Sequence, residues 1–439
     1  MPTGLERIAE KSRSEPNLQF TSLAHHVTGE LIWESLNHIP VKSARGVDGL
    51  TVAETRSSFR HWSTEMLKAI HRCNYRAPAV RRVHIPKPGK AEKRPIGIPT
   101  VADRALQRSV ATVLSAIYEQ DFLSSSFGGR PRVGAHNALC TLNHIVMTQK
   151  TNWVLECDLK NFFGSLDHGW LLRFVQHRVG DLRIIKLITS WLRAGVLENG
   201  VIESSEKGTP QGGSVSVLLS NIYLHYVLDV WFFRIVQPRL RGSAQLVRYL
   251  DDFVICFEFE SDARRVLEVL PQRLAKFSLA LEPTKTKLVE FGRFATERCS
   301  EKNKPMETVY FLGFTHYCTM SRQGKFMLGR RTEKSRHKRF IVKMNRLVKG
   351  IRHQNLAQQT MKINQTLQGH YAYYGMGGNF RSMKVALRQT EKLWRRALSI
   401  RSQRSNVTWE KFQKIRDAYP LRQPRLYIPF NRMPSLVVL

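Results

Sequence analysis

The sequence has few acidic residues, few cysteines and no long apolar run. Its six cysteines are scattered without a CxxC pair, which argues against a zinc site or a disulfide framework and predicts a reducing compartment, the cytoplasm. No apolar run approaches the roughly 20 residues that span a bilayer. The N-terminal segment also lacks the apolar stretch of a secretion signal. We therefore expect neither a membrane span nor secretion.

The excess of basic residues is the strongest compositional signal. Lys and Arg number 69 against 35 Asp and Glu, a formal net charge of +34, and the 439 residues are 42% hydrophobic. That length and hydrophobic content are enough for the cores of two or three domains. The charge predicts a polyanionic partner, with nucleic acid ahead of an anionic membrane.

A pair of aspartates is set between two apolar stretches in the segment LVRYLDDFVICF. The pattern predicts a strand, a tight turn carrying Asp251 and Asp252, and a second strand. Adjacent carboxylates beside apolar strands repel each other and are costly to desolvate, so a divalent cation such as Mg²⁺ would neutralise them. The alternative is a solvated turn, since Asp is common in turns.

Another aspartate ends a strand candidate nearly a hundred residues earlier. Asp158 lies at the end of the compact strand candidate Trp153 to Cys157. Alone it is more typical of a helix N-cap than of a metal ligand. Together with Asp251 and Asp252 it becomes the third ligand of a predicted two-metal site.

Two loops have the composition of phosphate-binding segments. Strand candidates at 83–85 and 96–98 enclose a basic turn, which predicts a hairpin able to grip a triphosphate, or else an ordinary solvated loop. Its cations are Lys87, Lys90, Lys93 and Arg94. A later loop, GTPQGG, opens an apolar helix: its glycines let backbone approach a ligand, and Gln211 is placed to touch a base or sugar.

The C-terminal third changes in composition. Residues 322–404 contain 21 Lys and Arg but only two acidic residues, and their apolar residues recur at helical spacing. The pattern predicts a helical bundle with one basic surface that grips a nucleic-acid duplex. We expect Tyr371, Tyr373 and Tyr374 to pack between helices, Tyr310 to Phe314 to form a short strand with a glycine kink, and the last thirty residues to be a loose tail.

Taken in order, these motifs resemble the reverse transcriptases of bacterial group II introns over about residues 20–430. The ordered set comprises IPKPG, the Asp158 strand with its FF pair, GTPQGG, YLDD, a lysine-bearing turn, FLGF and the basic helices. The resemblance implies an α+β right-hand polymerase with fingers, an antiparallel palm and a helical thumb. The implied division is 1–70 N-terminal extension, 71–318 fingers and palm, 319–415 thumb and 416–439 tail.

The resemblance also assigns roles to residues. Asp158, Asp251, Asp252 and the Leu159 carbonyl would bind two Mg²⁺ ions, or Mn²⁺, and Lys285 would donate a proton to pyrophosphate, with Lys287 as the alternative. The residues implied to bind the incoming dNTP are Lys87, Arg94, Leu159, Phe163, Gln211 and Gly212, and Phe163 would exclude ribonucleotides. Tyr249 and Leu250 would lie at the primer terminus.

Several positions depart from the family pattern. Leu250 stands where an alanine is usual, Gly129 where a Phe is common, and Gly164 where an Asp is common; no Cys/His-rich endonuclease segment follows the basic helices. These departures motivate the hypothesis of an enzyme that has left its intron and acts in double-strand break repair by microhomology annealing and gap filling, on template-primer duplexes and single-stranded DNA ends.

Three alternative functions stay open at this stage. One is an intron-encoded maturase and reverse transcriptase for splicing and retrohoming. The second is an antiphage defence reverse transcriptase, and the third is a non-catalytic RNA-binding splicing factor. Clustered carboxylates argue against the last, because they would repel the phosphates of RNA. A homodimer is open as well.

Overall fold

A computed structural model of the chain describes residues 3–86, 92–198, 201–203, 208, 213–301, 305–402 and 406–438. The described residues form an α+β fold, as the sequence predicts. The helices are α1 Thr3–Ser14, α2 Gly29–Asn37, α3 Val52–Ser57, α4 Phe59–His71, α5 Val101–Asp121, α6 Ala135–Thr148, α7 Phe162–Ser165, α8 His168–Gln176, α9 Leu182–Leu192, α10 Ser216–Leu224, α11 Glu260–Ala275, α12 Ala295–Glu301, α13 Lys334–Ile351, α14 Leu356–Tyr374, α15 Phe380–Ser399 and α16 Trp409–Ala418.

The strands form three sheets in the described part of the chain. They are β1 Val80–Pro86, β2 Lys93–Ile98, β3 Trp153–Asp158, β4 Val196–Glu198, β5 Val201–Glu203, β6 Ala244–Tyr249, β7 Asp252–Phe257, β8 Lys287–Glu290, β9 Val309–Phe311, β10 Phe314–Met320 and β11 Phe326–Thr332. The sheet orders are β2-β1-β4-β5, β6-β7-β3-β8 and β11-β10-β9. We call the second the central sheet; all its pairings are antiparallel.

The central sheet is buried on both faces. Successive residues of a strand point to opposite faces. Leu155 and Ile255 therefore pack against the helices α5 and α8–α11, in what we call the first core. Val154 and Val254 pack against α6 and the three-stranded sheet, in the second core. A third core lies between α13, α14 and α15. We call these three helices the C-terminal bundle. This arrangement leaves the strand ends of the central sheet open for polar residues.

One apolar helical segment is longer than the sequence reading allowed. Helix α10 continues through further helical turns, so that Ser216–Arg239 is long and apolar enough to cross a membrane by length and composition. The expectation that no apolar run approaches that length is therefore wrong. Yet 72% of its most apolar stretch is buried inside the protein, so the first core already accounts for its hydrophobicity.

Two predictions for the C-terminal third are wrong. Residues 310–314 are not one kinked strand: β9 ends at Phe311, and Leu312 and Gly313 form the turn into β10. The last residues are not a loose tail, since α16 runs through position 416 and Ile428 and Met433 are buried in the second core. The Pro and Arg content hid these apolar anchors.

Candidate active site

Three aspartates lie together at one end of the two inner strands of the central sheet, β3 and β7. Asp158 is the last residue of β3 and Asp252 the first of β7, and the two stand directly opposite each other in the antiparallel ladder. Asp251 precedes Asp252 in the turn from β6, where Tyr249 pairs with Asp252. The predicted carboxylate hairpin is thus present. Strand pairing brings Asp158 to it from more than ninety residues away.

Burial and mutual repulsion make these carboxylates hard to ionise. Burial, followed by the charges of Asp158, Asp251 and Glu156, raises the pKa of Asp252 to about 8. Burial and the charge of Asp158 also raise the pKa of Asp251, although Lys285 and Arg94 oppose the rise. A nearby cation would reverse this penalty.

Glu156 is a fourth carboxylate that the sequence reading missed. It lies two residues before Asp158 and therefore on the same face of β3. Its Oε2 accepts a hydrogen bond of 2.9 Å from the Tyr310 backbone N–H. Burial is the main reason that its pKa rises to about 7. The two-residue periodicity of the strand was the signal that could have identified it.

Lys285 is the cation nearest to the aspartates. Its Nζ lies 2.5 Å from Oδ2 of Asp158. Burial lowers the pKa of Lys285, but the hydrogen bond and charge of Asp158 outweigh this, so the pKa is raised overall. Lys287 instead forms an ion pair of 2.7 Å with Glu307. The geometry therefore places Lys285, and not Lys287, in contact with Asp158.

The donor set fits a hard divalent cation by its chemistry. Carboxylate oxygens that repel one another are the ligands that Mg²⁺ and Mn²⁺ prefer. Leu159 is buried next to Asp158 and bridges to Leu281, which brings the segment leading to Lys285 alongside. Within the described ranges, however, no three His, Cys, Asp or Glu side chains form a group that could hold a metal ion.

The predicted nucleotide-binding residues are only partly described. Lys87, Gln211 and Gly212 lie outside the described residues. Arg94 is exposed on β2, where it pairs with Ile85 in the predicted hairpin. The charge of Arg94 opposes the rise in the pKa of Asp251, as noted above.

Phe163 is held on a short helix just after Asp158. Asn161 has a left-handed φ of 45°, and helix α7 starts at the next residue. The Phe163 ring is half-buried and lies 5.3 Å from the Phe162 ring, edge to face. A Cβ added to Gly164 would come within 2.6 Å of Asn161 Nδ2. An Asp at position 164 would therefore displace Asn161.

Leu250 occupies the turn between the strands in a left-handed conformation, with φ of 57°. Its side chain covers two glycines. A Cβ added to Gly128 would lie 2.6 Å from Leu250 N and 2.7 Å from Leu250 Cγ, and one added to Gly129 would collide with Val217. The large residue at position 250 and the missing side chain at position 129 are therefore neighbours in space.

A buried ion pair lies beneath this turn. Arg248 and Asp229 are both 0% exposed and joined by two hydrogen bonds of 2.7 and 2.5 Å. Arg248 also donates to Asn221 Oδ1 at 3.0 Å and to the Leu250 carbonyl at 3.3 Å. Asn221 Nδ2 donates to the Gly128 carbonyl at 2.8 Å. The ion pair thus connects the turn to the glycines. The sequence signal for it was Arg248, an isolated Arg in an apolar strand.

The C-terminal bundle carries a basic cavity of about 610 Å³ between α13 and α14. Its lining includes Arg336, Arg339 and Lys343. His370 also lines it and is 7% exposed, and its Nε2 has no hydrogen-bond partner among the described residues. The cations and the open shape are suited to a phosphate backbone.

Comparison with known proteins agrees with this geometry. The family described as reverse transcriptase (RNA-dependent DNA polymerase) matches residues 85–316, more than half of the chain. The chain is similar to Group II intron-encoded protein LtrA of Lactococcus lactis subsp. cremoris, with 28% identity over 67% of this chain and 50% of that protein. This chain thus spans about half the length of that relative.

Two further relatives point the same way. Protein YkfC of Escherichia coli (strain K12) is 30% identical over 57% of this chain and 74% of that protein. Nuclear intron maturase 3, mitochondrial, of Arabidopsis thaliana is 26% identical over 40% of this chain and 28% of that protein. The chain belongs to the reverse transcriptase family, in its group II intron-like branch.

Proposed function

We propose that the protein is a DNA polymerase that copies RNA or DNA templates by extending a primer 3′-hydroxyl with dNTPs. The observation that carries the proposal is the meeting of Asp158, Asp251 and Asp252 at one sheet edge, with Lys285 beside them. RNA binding alone needs no such cluster, because carboxylates repel phosphates. Nucleotidyl transfer does need it.

In this proposal, regions of the fold correspond to the fingers, palm and thumb of a right-hand polymerase. The β1–β2 hairpin and its helices would be the fingers, the central sheet the palm and the C-terminal bundle the thumb. The β10–β11 hairpin occupies residues up to 332, so we place the start of the thumb at α13 and not at 319. The fold class itself is α+β in either case.

Metal binding would fall to the aspartates and to the Leu159 carbonyl. Bound Mg²⁺ or Mn²⁺ would lower the pKa of the primer 3′-hydroxyl and offset charge on the triphosphate. Lys285 would protonate the departing pyrophosphate, and its Nζ, 2.5 Å from Asp158 Oδ2, supports this role. Arg94 and Lys87 would bind the triphosphate.

Selection of the nucleotide would depend on Phe163. Its ring packs edge to face on Phe162, and its backbone lies close to Gly208, where an added Cβ would be 2.8 Å from the Phe163 carbonyl oxygen. A ring held in this way can exclude a ribose 2′-hydroxyl by collision. Gln211 and Gly212 would contact the incoming nucleotide.

The C-terminal bundle would bind the template-primer duplex. Its cations outnumber its acids by 21 to 2 over residues 322–404, and the cavity lined by Arg336, Arg339 and Lys343 would take backbone phosphates. Binding of this kind releases counterions, so affinity falls steeply with salt. We propose that the enzyme is cytoplasmic. It could act as a monomer or as a homodimer.

For the biological role we propose double-strand break repair by microhomology annealing and gap filling. The packing of Leu250 on Gly128 and Gly129 supports this role. A large residue at position 250 and a glycine at position 129 change the shape of the surface where a primer end would lie. An intron-encoded maturase is the second candidate, favoured by the names of the relatives. A defence role or a splicing role without catalysis is less well supported.

Primer extension by purified protein with Mg²⁺ tests the polymerase. Asp251→Ala should abolish extension on RNA and DNA templates and leave duplex affinity nearly unchanged, because binding would come from the basic bundle. Asp417→Ala removes an exposed carboxylate and should extend like the wild type. Loss of duplex binding in Asp251→Ala would show that the aspartate is structural and would contradict the proposal.

The same assay with graded primers tests the repair role. Efficient extension of 3′ overhangs that share only a few complementary bases, weakened in Leu250→Ala, is the expected result. Extension of long annealed primers alone would favour the maturase. The repair role would also be overturned if an intron RNA flanks the gene and its splicing requires the protein.

A further inference from the structure

The turn from β9 to β10 is strained and lies against the aspartates. Leu312 and Gly313 form a two-residue connection, since Phe311 pairs with Phe314. Both have positive φ, 49° and 77°, as in a type I′ turn. A leucine disfavours this conformation, so the turn persists because surrounding contacts hold it.

Contacts on one side join the turn to the candidate active site. The Tyr310 N–H donates to Glu156, two residues before Asp158. A hydrogen bond from the Leu312 N–H opposes the rise in the pKa of Asp252, and strand β9 packs against both β3 and β7. Strand β9 and its turn therefore lie beside the carboxylate-bearing ends of both strands.

Contacts on the other side come from the C-terminal bundle. The Tyr373 hydroxyl on α14 donates to the Leu312 carbonyl at 2.8 Å, and the Glu333 N–H before α13 donates to the Gly313 carbonyl at 3.0 Å. The Tyr373 ring also stacks on Phe314, with centroids 6.0 Å apart. Both carbonyls of the turn are thus held by the bundle.

We propose that Tyr373 is a positioning residue, which clamps the Leu312–Gly313 turn and through it fixes Asp252 for nucleotidyl transfer. The inference rests on the proposed polymerase function. It links the bundle that would hold the duplex to the carboxylates that would hold the metal. Tyr373 itself does not touch substrate in this proposal.

Helix α14 supplies a matched control. Tyr371 lies two residues earlier and is fully buried, and its hydroxyl has no hydrogen-bond partner among the described residues. Tyr371→Phe and Tyr373→Phe each delete one buried or half-buried hydroxyl, but only the second breaks the clamp. The pair separates positioning from a general loss of packing.

The experiment compares both variants with the wild type. For Tyr373→Phe we expect the single-turnover extension rate to fall about tenfold, the scale of one lost hydrogen bond, with the KM for dNTP and the Kd for duplex within about twofold of wild type. Mn²⁺ binding, followed by EPR of the free ion, should weaken. Tyr371→Phe should match the wild type in all four measurements.

A second pair of variants tests the other bond to the turn. Glu333 has φ of −54° and follows strand β11, so proline fits there but removes the N–H. Glu333→Pro should slow extension while Glu333→Ala, which keeps the N–H, should slow it less. Equal rates for the two would contradict the role of the Gly313 bond.

The outcomes distinguish this inference from the proposed function. Wild-type extension with an unchanged rate in Tyr373→Phe would overturn the clamp alone. Equal losses of rate, duplex affinity and melting temperature would also overturn it, because they indicate a merely structural residue. If the wild type does not extend primers, the proposed function fails, and unchanged Mn²⁺ affinity in Tyr373→Phe would then reject the clamp too.

Discussion

Two hairpin turns border the candidate active site, and they are built alike but held differently. Each places a leucine in the left-handed region, Leu250 in the first turn and Leu312 in the second. The first is fixed from beneath by the buried Arg248–Asp229 ion pair. The second is fixed by neutral hydrogen bonds from the C-terminal bundle.

The difference shows two ways to maintain strained backbone. A buried ion pair depends on both partners, because removing either leaves an uncompensated charge in the core. The first turn is therefore set permanently within the central sheet. Hydrogen bonds from a separate bundle are individually weaker, so the second turn depends on how that bundle sits.

Breaking the ion pair under the first turn should have the largest effect on stability. Arg248→Met should destabilise the protein by about 3–5 kcal/mol, because Asp229 stays buried without its partner. Urea denaturation followed by circular dichroism measures this. The double variant Arg248→Met/Asp229→Leu should recover much of the loss, and a single variant as stable as the wild type would contradict the assigned role.

The glycine next to the first turn should be less tolerant than the glycine within the second. Gly129→Ala should cost about 2–4 kcal/mol, since φ is 69° and the new Cβ would meet Val217. Gly313→Ala should cost less, because its Cβ would lie 3.1 Å from the movable Tyr374 hydroxyl.

Gly324→Ala is the control for this comparison. Its φ is 70° and nothing lies within 4 Å of its added Cβ, so it reports the backbone cost alone. Melting temperatures of the three variants rank the costs. A Gly129→Ala loss no greater than that of Gly324→Ala would show that Val217 yields freely.

The smallest expected effect is on pH dependence, and only the first turn carries ionisable groups. The folded pKa of Asp252 is about 8 against an ordinary 3.8, so the folded state binds this proton more tightly than the unfolded state. The contribution to stability is complete below about pH 4 and is lost as the pH rises to about 8. Metal-free wild type should therefore melt lower at pH 8 than Asp252→Asn, by a few degrees.

Melting in EDTA at pH 5, 6.5 and 8 measures this difference. It should shrink toward pH 5 and on addition of Mg²⁺, which binds the ionised carboxylates of the folded protein. Tyr373→Phe should show the wild-type pH slope. A constant difference between Asp252→Asn and wild type at all three pH values would contradict the assigned pKa direction.

Local sequence pattern predicted the parts of the site whose residues are close in the chain. The two apolar runs around Asp251 and Asp252 predicted both strands and their turn, and the compact run before Asp158 predicted β3. The basic hairpin around Arg94 was predicted in the same way. In each case the periodicity and the turn residues agree with the fold.

What the sequence could not predict depends on contacts between distant segments. Arg248 stands out in its apolar strand, but Asp229 is recognised as its partner only once strand and helix pack together. Leu312 gave no turn signal because leucine rarely adopts a left-handed backbone, and the Tyr373 hydroxyl that bonds its carbonyl comes from a distant helix. Ile428 and Met433 were obscured by surrounding Pro and Arg residues, and only the second core reveals their burial.

The pairing of β3 with β7 also bears on how the protein folds. These strands are joined by nearly a hundred residues, including the whole of α8 to α10, and closing so long a loop slows the step that forms the pair. We therefore expect Asp158 and Asp252 to become neighbours late in folding. Until then the chain has no assembled carboxylate cluster, so partly folded molecules would not capture divalent ions at this place.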